Sequence, residues 1–276
     1  MMMGAMLFAC TPEDELNKDG QINLRTSVQG MQKSARTPSL NEDGSGVFTD
    51  GDCMKLVISG GEKLYANSDY TIGTTQLYWR NVDMDEAVER VTFSACYPLQ
   101  ESTSGCFVFD LSKTDEPDLL LARTEQVEVG TELPVMMTFK HALCKLSVNY
   151  TVDDSFTSVD KETIQTKCLA VSGCEVNLLA GTLDHTDFPK AQFTAQGSKI
   201  VFLLIPQEVT EIGFEVQLGD VSCHTSLGEL IGKNLSLESG KEVTLNLTLK
   251  EGRLELGGFT IEGWGDQGSF DQDVIM

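Results

Sequence analysis

The sequence predicts an all-β protein of two domains, on three observations: short apolar runs with a period of two, turn residues between the runs, and little helical periodicity. Lys55-Leu56-Val57-Ile58, Thr75-Gln76-Leu77-Tyr78-Trp79, Val91-Thr92-Phe93-Ser94-Ala95 and Cys106-Phe107-Val108-Phe109 are such runs in the first half. Val135-Met136-Met137-Thr138-Phe139 continues through His141 to residues 145–150. Further runs follow at 171–179, 200–205, 212–218 and 242–249, where Val243, Leu245, Leu247 and Leu249 alternate with polar partners. Gly51-Asp52, Gly60-Gly61 and Ser239-Gly240 supply turns. Many short strands at regular spacing bury their apolar faces against other sheets, as in sandwiches, and not against crossover helices. Helical turns are expected only at 84–90 and around Glu229-Leu230-Ile231.

Length and composition set the organisation. The 276 residues suffice for two domains, each with a core. Residues 11–45 are polar and rich in Ser, Asn, Asp and Gly, apart from one alternating piece at Ile22-Asn23-Leu24. They read as a tether, a first strand and a loop. A second break falls at Asp153-Asp154-Ser155, so the expected domains are 46–150 and 151–276.

Charge excludes one class of partner. The chain carries 42 acidic and 20 basic residues, a net charge of -22, with 41% hydrophobic and 22% charged residues. Such a field repels phosphate backbones and anionic membrane surfaces, which argues against nucleic-acid binding. The proportion of apolar residues is that of a folded protein, neither disordered nor membrane-spanning.

The first nine residues form an apolar run that stops at Cys10, and Leu7-Phe8-Ala9-Cys10 matches a bacterial lipobox. Signal peptidase needs a small residue before the cut, and the thiol of the next residue accepts a diacylglycerol. Cys10 is therefore the expected lipidation site, 1–10 the remnant of a lipoprotein signal, and the outer membrane the expected destination. The run is short and lacks a preceding Lys or Arg, so the true start is expected upstream or at a different Met. The remaining cysteines are Cys53, Cys96, Cys106, Cys144, Cys168, Cys174 and Cys223. None has zinc-ligand CxxC spacing, and several sit among apolar residues, as free core thiols do. Export permits disulfides, and Cys168 with Cys174 is the most plausible local pair.

Several strings, taken in order, resemble the landmarks of the Bacteroidales fimbrillin-like proteins. They include Val47-Phe48-Thr49-Asp50-Gly51-Asp52, Val91 to Pro98 and Asp118-Leu119-Leu120-Leu121-Ala122. Met137-Thr138-Phe139-Lys140-His141-Ala142-Leu143-Cys144-Lys145-Leu146 is the strongest single piece, followed by Leu203-Leu204-Ile205-Pro206-Gln207 and Ile261-Glu262-Gly263-Trp264. The resemblance implies two transthyretin-like β-sandwich domains in tandem, and a fimbrial subunit at the cell surface. It also implies partners that are other pilus subunits, joined by donor-strand exchange after proteolysis behind the first strand.

Carried onto this sequence, the displaced strand spans about 21–28 and inserts Ile22 and Leu24. Arg36, in Ser34-Ala35-Arg36-Thr37-Pro38, is the expected cleavage site, with Arg25 as the alternative. The C-terminal residues Phe270, Val274 and Ile275 form either a donor strand or the last strand of the second sandwich. In the second case the chain accepts without donating, as a tip or accessory subunit does. The competing class is a lipid-anchored surface protein that binds a glycan or a host protein without polymerising.

No catalytic site, cofactor or metal site is expected. The three histidines, His141, His185 and His224, lack the His-Glu-x-x-His spacing, and no Gly-x-Ser-x-Gly or P-loop is present. His141 lies in an apolar strand and reads as a satisfied core histidine. His185, in Leu183-Asp184-His185-Thr186-Asp187, reads as a turn residue. Asp43, Asp50 and Asp52 lack the register of an EF-hand and read as turn residues too. Trp79 and Trp264 read as packing aromatics, with carbohydrate stacking as the lesser reading.

Overall fold

A computed structural model describes residues 19–29, 48–114, 118–156, 160–250 and 253–264. In chain order the first strands are β1 (Gln21–Ile22), β2 (Leu24–Val28), β3 (Cys53–Gly60), β4 (Lys63–Thr71) and β5 (Leu77–Tyr78). Next come β6 (Arg90–Tyr97), β7 (Cys106–Asp110), β8 (Leu120–Glu128), β9 (Val135–His141) and β10 (Cys144–Val152). The second half holds β11 (Gln165–Val171), β12 (Gly173–Asn177), β13 (Thr182–Asp184), β14 (Lys190–Gln196) and β15 (Lys199–Leu204). It ends with β16 (Gly213–Leu218), β17 (Val221–Ser226), β18 (Lys241–Lys250) and β19 (Arg253–Gly263). The protein is all-β.

Alternation explains where each strand lies. Along β9, Val135, Met137, Phe139 and His141 are buried, while Met136, Thr138 and Lys140 are exposed. Period-two burial of this kind fixes register, since a one-residue slip would turn the apolar set to water. β3 differs: Leu56, Val57 and Ile58 are all buried in succession. The strand is covered on both faces, which is why it reads as an unbroken apolar run.

Strands β2-β9-β8-β6-β3-β4 form a six-stranded sheet, and β13-β12-β7 a three-stranded one. Two four-stranded sheets follow, β15-β10-β18-β19 and β14-β11-β16-β17, and β1 pairs with β5 as a short ribbon. Three cores result. Leu56, Ile58, Phe93 and Phe139 lie on one face of the six-stranded sheet with Trp79 and Val82. Val57 and Cys96, on its other face, meet Phe107, Phe109, Cys174 and Val176 of the three-stranded sheet. The two four-stranded sheets enclose the third core, around Leu146, Phe202, Phe214 and Leu245.

Residues 135–150, continuous in the sequence pattern, are divided in space. The chain leaves β9 at His141, passes through buried Ala142 and Leu143, and enters β10 of a different sheet. There Cys144 to Val152 run antiparallel to β15 and parallel to β18. β7 pairs with β12, so strands from the two halves of the chain share a sheet.

The expected helical turn at 84–90 is absent; a single 3-10 turn at Trp79–Asn81 stands just before it. Val82, Met84 and Val88 instead lie against the first core. The short helix α1 (Leu227–Ile231) contains Glu229, Leu230 and Ile231. Its start is fixed by a capping box: the Glu229 N–H donates to Ser226 Oγ at 3.1 Å, and the Ser226 N–H to Glu229 Oε2 at 3.1 Å. Gly232, at φ 69°, ends it in the left-handed conformation that glycine adopts without strain. The sequence reading also missed β4, β14, β17 and β19 as strands. Their apolar residues are largely half-buried, so the alternation is weak.

All the cysteines of the described residues are free thiols. Cys168 belongs to the core between the four-stranded sheets and Cys174 to the core under the three-stranded sheet. Proximity in sequence does not bring this pair together.

Candidate functional site

The first strand forms one edge of the six-stranded sheet. β2 runs parallel to β9 over five pairs, from Leu24 opposite Val135 to Val28 opposite Phe139. Just ahead of it, Ile22 and Gln21 pair with Leu77 and Tyr78 of β5. Backbone bonds from Trp79 to Gly20 (3.1 Å), Val135 to Asn23 (2.8 Å) and Gln29 to Phe139 (2.8 Å) close the segment at its start, middle and end. Ile22 and Val28 are buried and Leu24 is half-buried. Fully burying an aliphatic side chain of this size is worth about 1.5–3 kcal/mol.

β9 depends on this strand. Its pairing with β8 covers only Phe139, Lys140 and His141. On that side Met136 has a side-chain bond, from Thr124 Oγ1 to its carbonyl at 2.6 Å. Removing β2 would leave the Val135–Phe139 edge with unpaired backbone groups, a template for another strand.

Of the residues predicted from sequence, Ile22 lies in the first core, with Leu24 packed against it. Arg25 sits in β2 opposite Met136, with its side chain exposed and its backbone held in the ladder. Val28 adds a buried anchor that the sequence reading did not single out. Its only sequence signal is two-residue alternation through Leu24, Thr26 and Val28. Cys10, Arg36, Phe270, Val274 and Ile275 lie outside the described residues. Phe48, where the chain is next described, packs its ring 4.7 Å from Phe139 and 5.2 Å from Tyr97.

Two landmark strings far apart in sequence meet beside this edge. His141, at the end of β9, stacks on Trp264, just past β19, and its Nδ1 lies 3.0 Å from Asp118 Oδ2. Among the described residues no group of three or more His, Cys, Asp or Glu is placed to hold a metal. His185 follows Asp184, whose Oδ1 is occupied by the Thr186 N–H and hydroxyl at 2.9 and 2.6 Å. Asp52 likewise accepts from the Thr49 N–H at 2.6 Å and organises the turn before β3. Trp79 is a core residue, its indole N–H donating to the Thr131 carbonyl at 3.3 Å.

Burial pushes the thiols of Cys96, Cys144, Cys168 and Cys174 up to about 12. Near neutral pH they are protonated and poorly nucleophilic. No helix of the described residues is long and apolar enough to cross a membrane.

A cleft of about 520 Å³ opens between the outer face of β8–β9, the β12–β13 connection and the segments flanking β18 and β19. Arg123, Lys140 and Lys241 line it, as do His141 and Trp264.

Comparison with known proteins bears on the whole chain. A putative cell adhesion protein from Bacteroides uniformis superposes with a TM-score of 0.66 at 16% identity, covering 89% of this chain and 100% of its own. One from Bacteroides ovatus gives 0.58 at 15% identity, covering 88% and 97%. A fimbrilin, FimA, from Porphyromonas gingivalis gives 0.59 at 5% identity, covering 92% and 100%. At such identities these likenesses establish shared fold. No curated protein matches the chain. The family model described as fimbrillin-like matches residues 41–264, most of the sequence. The chain therefore belongs to the fimbrillin-like family.

Proposed function

We propose that this protein is a fimbrial subunit of the cell surface, built of two transthyretin-like sandwiches and assembled by exchange of its first strand. The carrying observation is that β2 is an edge strand on which the Val135–Phe139 stretch of β9 depends. Family membership and fold likeness to FimA support the pilus reading. The route begins with export and acylation at Cys10, which tethers the subunit to the outer membrane. Cleavage at Arg36, between β2 and Phe48, leaves the first strand attached by non-covalent contacts alone. An extended segment of a neighbouring subunit then adds to β9 and fills the places of Ile22, Leu24 and Val28, as strand addition to an open edge does. Phe270, Val274 and Ile275 are the candidate apolar positions of this chain's own donor segment.

The test is trimming with an Arg-specific protease, followed by size-exclusion chromatography. Trimmed wild-type protein should form oligomers, while Arg36→Ala should stay monomeric and folded. Equal polymerisation of untrimmed and trimmed protein would defeat strand exchange. A trimmed protein that accepts a donor peptide but never polymerises alone would be a tip or accessory subunit.

A second reading, surface binding of a ligand, is favoured by the cationic cleft. The two roles are compatible in one adhesive subunit.

A further inference from the structure

The cleft beside His141 and Trp264 differs in charge from the rest of the molecule. The chain has 42 acidic residues, yet among the described residues no Asp or Glu lines this cavity. Three of its 20 basic residues, Arg123, Lys140 and Lys241, do. Most described Lys and Arg side chains have a carboxylate within ion-pair distance, as Lys55 has Asp69 and Lys167 has Glu215. Lys140 and Lys241 have no ion pair among the described residues. Arg123 is held in place by Glu125, at 2.8 Å from Nε, and by the carbonyls of Leu178 and Leu179. Asp118 touches the lining through His141 and Glu125 through Arg123, while Glu238, Glu242 and Glu262 flank lining residues in the chain. In a protein of net charge -22, a cation-lined hollow is a local reversal of the field.

Two buried polar groups of the wall are unsatisfied. Ser94 is 1% exposed and Trp264 is 7% exposed, and among the described residues neither Ser94 Oγ nor Trp264 Nε1 has a hydrogen-bond partner. Buried polar groups almost always have one, and an orphan is costly. A bound molecule would supply an acceptor for the indole N–H and a partner for the hydroxyl. Thr138, Asn177 and Ser239 add neutral hydrogen-bonding groups around the same hollow. The volume, about 520 Å³, is that of a site for a small organic ligand.

We propose that this cleft binds a small carboxylate-bearing sugar, of uronic acid type. The carboxylate lies between Lys140 and Lys241, and the ring hydroxyls meet Ser94, Thr138 and Asn177. Cations select the acid, while the neutral groups and the indole N–H orient the ring. The site is formed in the untrimmed monomer, with Gln29, just past β2, among its lining residues, so binding is read before any strand is exchanged.

The test uses the full chain, untrimmed, with 15N-labelled indoles. Titration with galacturonate should move the Trp264 indole signal saturably, while the Trp79 signal, already bonded to Thr131, stays still. Galactose should leave both in place. The Lys140→Ala/Lys241→Ala double variant should weaken galacturonate binding about tenfold or more, and Ser94→Ala should weaken it less. Unchanged affinity in the double variant would overturn the proposal. So would galactose and galacturonate acting alike, or silence with both galacturonate and glucuronate at high millimolar concentration. A synthetic peptide of residues 265–276 that moves the same signal, with uronates inert, would also overturn it, assigning the cleft to acidic peptide.

Discussion

The rings of His141 and Trp264 stack with centroids 3.7 Å apart and 18° between their planes, joining the end of β9 to the end of β19. Asp118 holds the imidazole at its edge through Nδ1. β9 belongs to the six-stranded sheet and β19 to a four-stranded sheet, so the stack is a bolt between them. Around it, Ala142, Leu143 and Ile205 share one buried cluster with Trp264.

Trp264→Ala should therefore loosen the junction as well as remove area. A loss of about 3–5 kcal/mol is expected from truncating a buried aromatic. A double-mutant cycle with His141→Ala, read by urea unfolding, should return a coupling of about 0.5–1.5 kcal/mol. Additive losses would mean that the rings act separately.

The first strand should guard its own arginine. Arg25 lies in the β2 ladder opposite Met136, so an Arg-specific protease should spare it in the native chain. Ile22→Ala with Val28→Ala removes two buried anchors and should expose Arg25 to cutting, seen as a new fragment by mass spectrometry. Cleavage at Arg25 at the wild-type rate would mean that the strand is not held by those anchors.

Alkaline pH should destabilise the fold through its thiols. Cys96, Cys144, Cys168 and Cys174 are each raised from 9.0 to about 12 by burial. Above pH 9 the unfolded thiols lose protons that the native ones keep, so the unfolded state gains. The thiol contribution should be flat from neutral pH to that point, and stability should fall as pH rises from about 9 towards 12. Urea midpoints across that range check the sign. Replacing Cys168 with Ala should reduce the slope.

Thiol labelling offers a cleaner view of the same burial. Cys53 and Cys106, partly exposed, should react early in native protein under Ellman titration, and the five buried thiols only on unfolding.

Acylation is testable without any structure. Cys10→Ala should release the protein from the membrane fraction or leave its signal segment uncut. Unchanged fractionation would remove the lipoprotein route from the proposed assembly.

Sequence by itself determined the class of this protein and many of its elements. Alternation at Val243, Leu245, Leu247 and Leu249 and in Val135–His141 is enforced by one-sided burial, which leaves a local imprint on residue order. It also identified Ile22 and Leu24 as an apolar insertion in a polar stretch, and the string through His141 as a landmark. Local pattern failed where neighbours, and not the chain, set the environment. The break at Ala142–Leu143 was invisible, because both residues are as apolar as the strands they separate. The parallel pairing of β2 with β9 and of β10 with β18 carries no sequence mark, since either orientation satisfies the same alternation. Cys168 and Cys174 looked like neighbours until the fold put them in different cores. The cationic cleft belongs to the same class. Arg123, Lys140 and Lys241 are unremarkable one by one, and converge because a sheet face, a hairpin and the chain around β18 close on one hollow. Strand periodicity is local physics and was legible; which faces and edges meet is decided by packing over long separations, and only the tertiary structure expresses it.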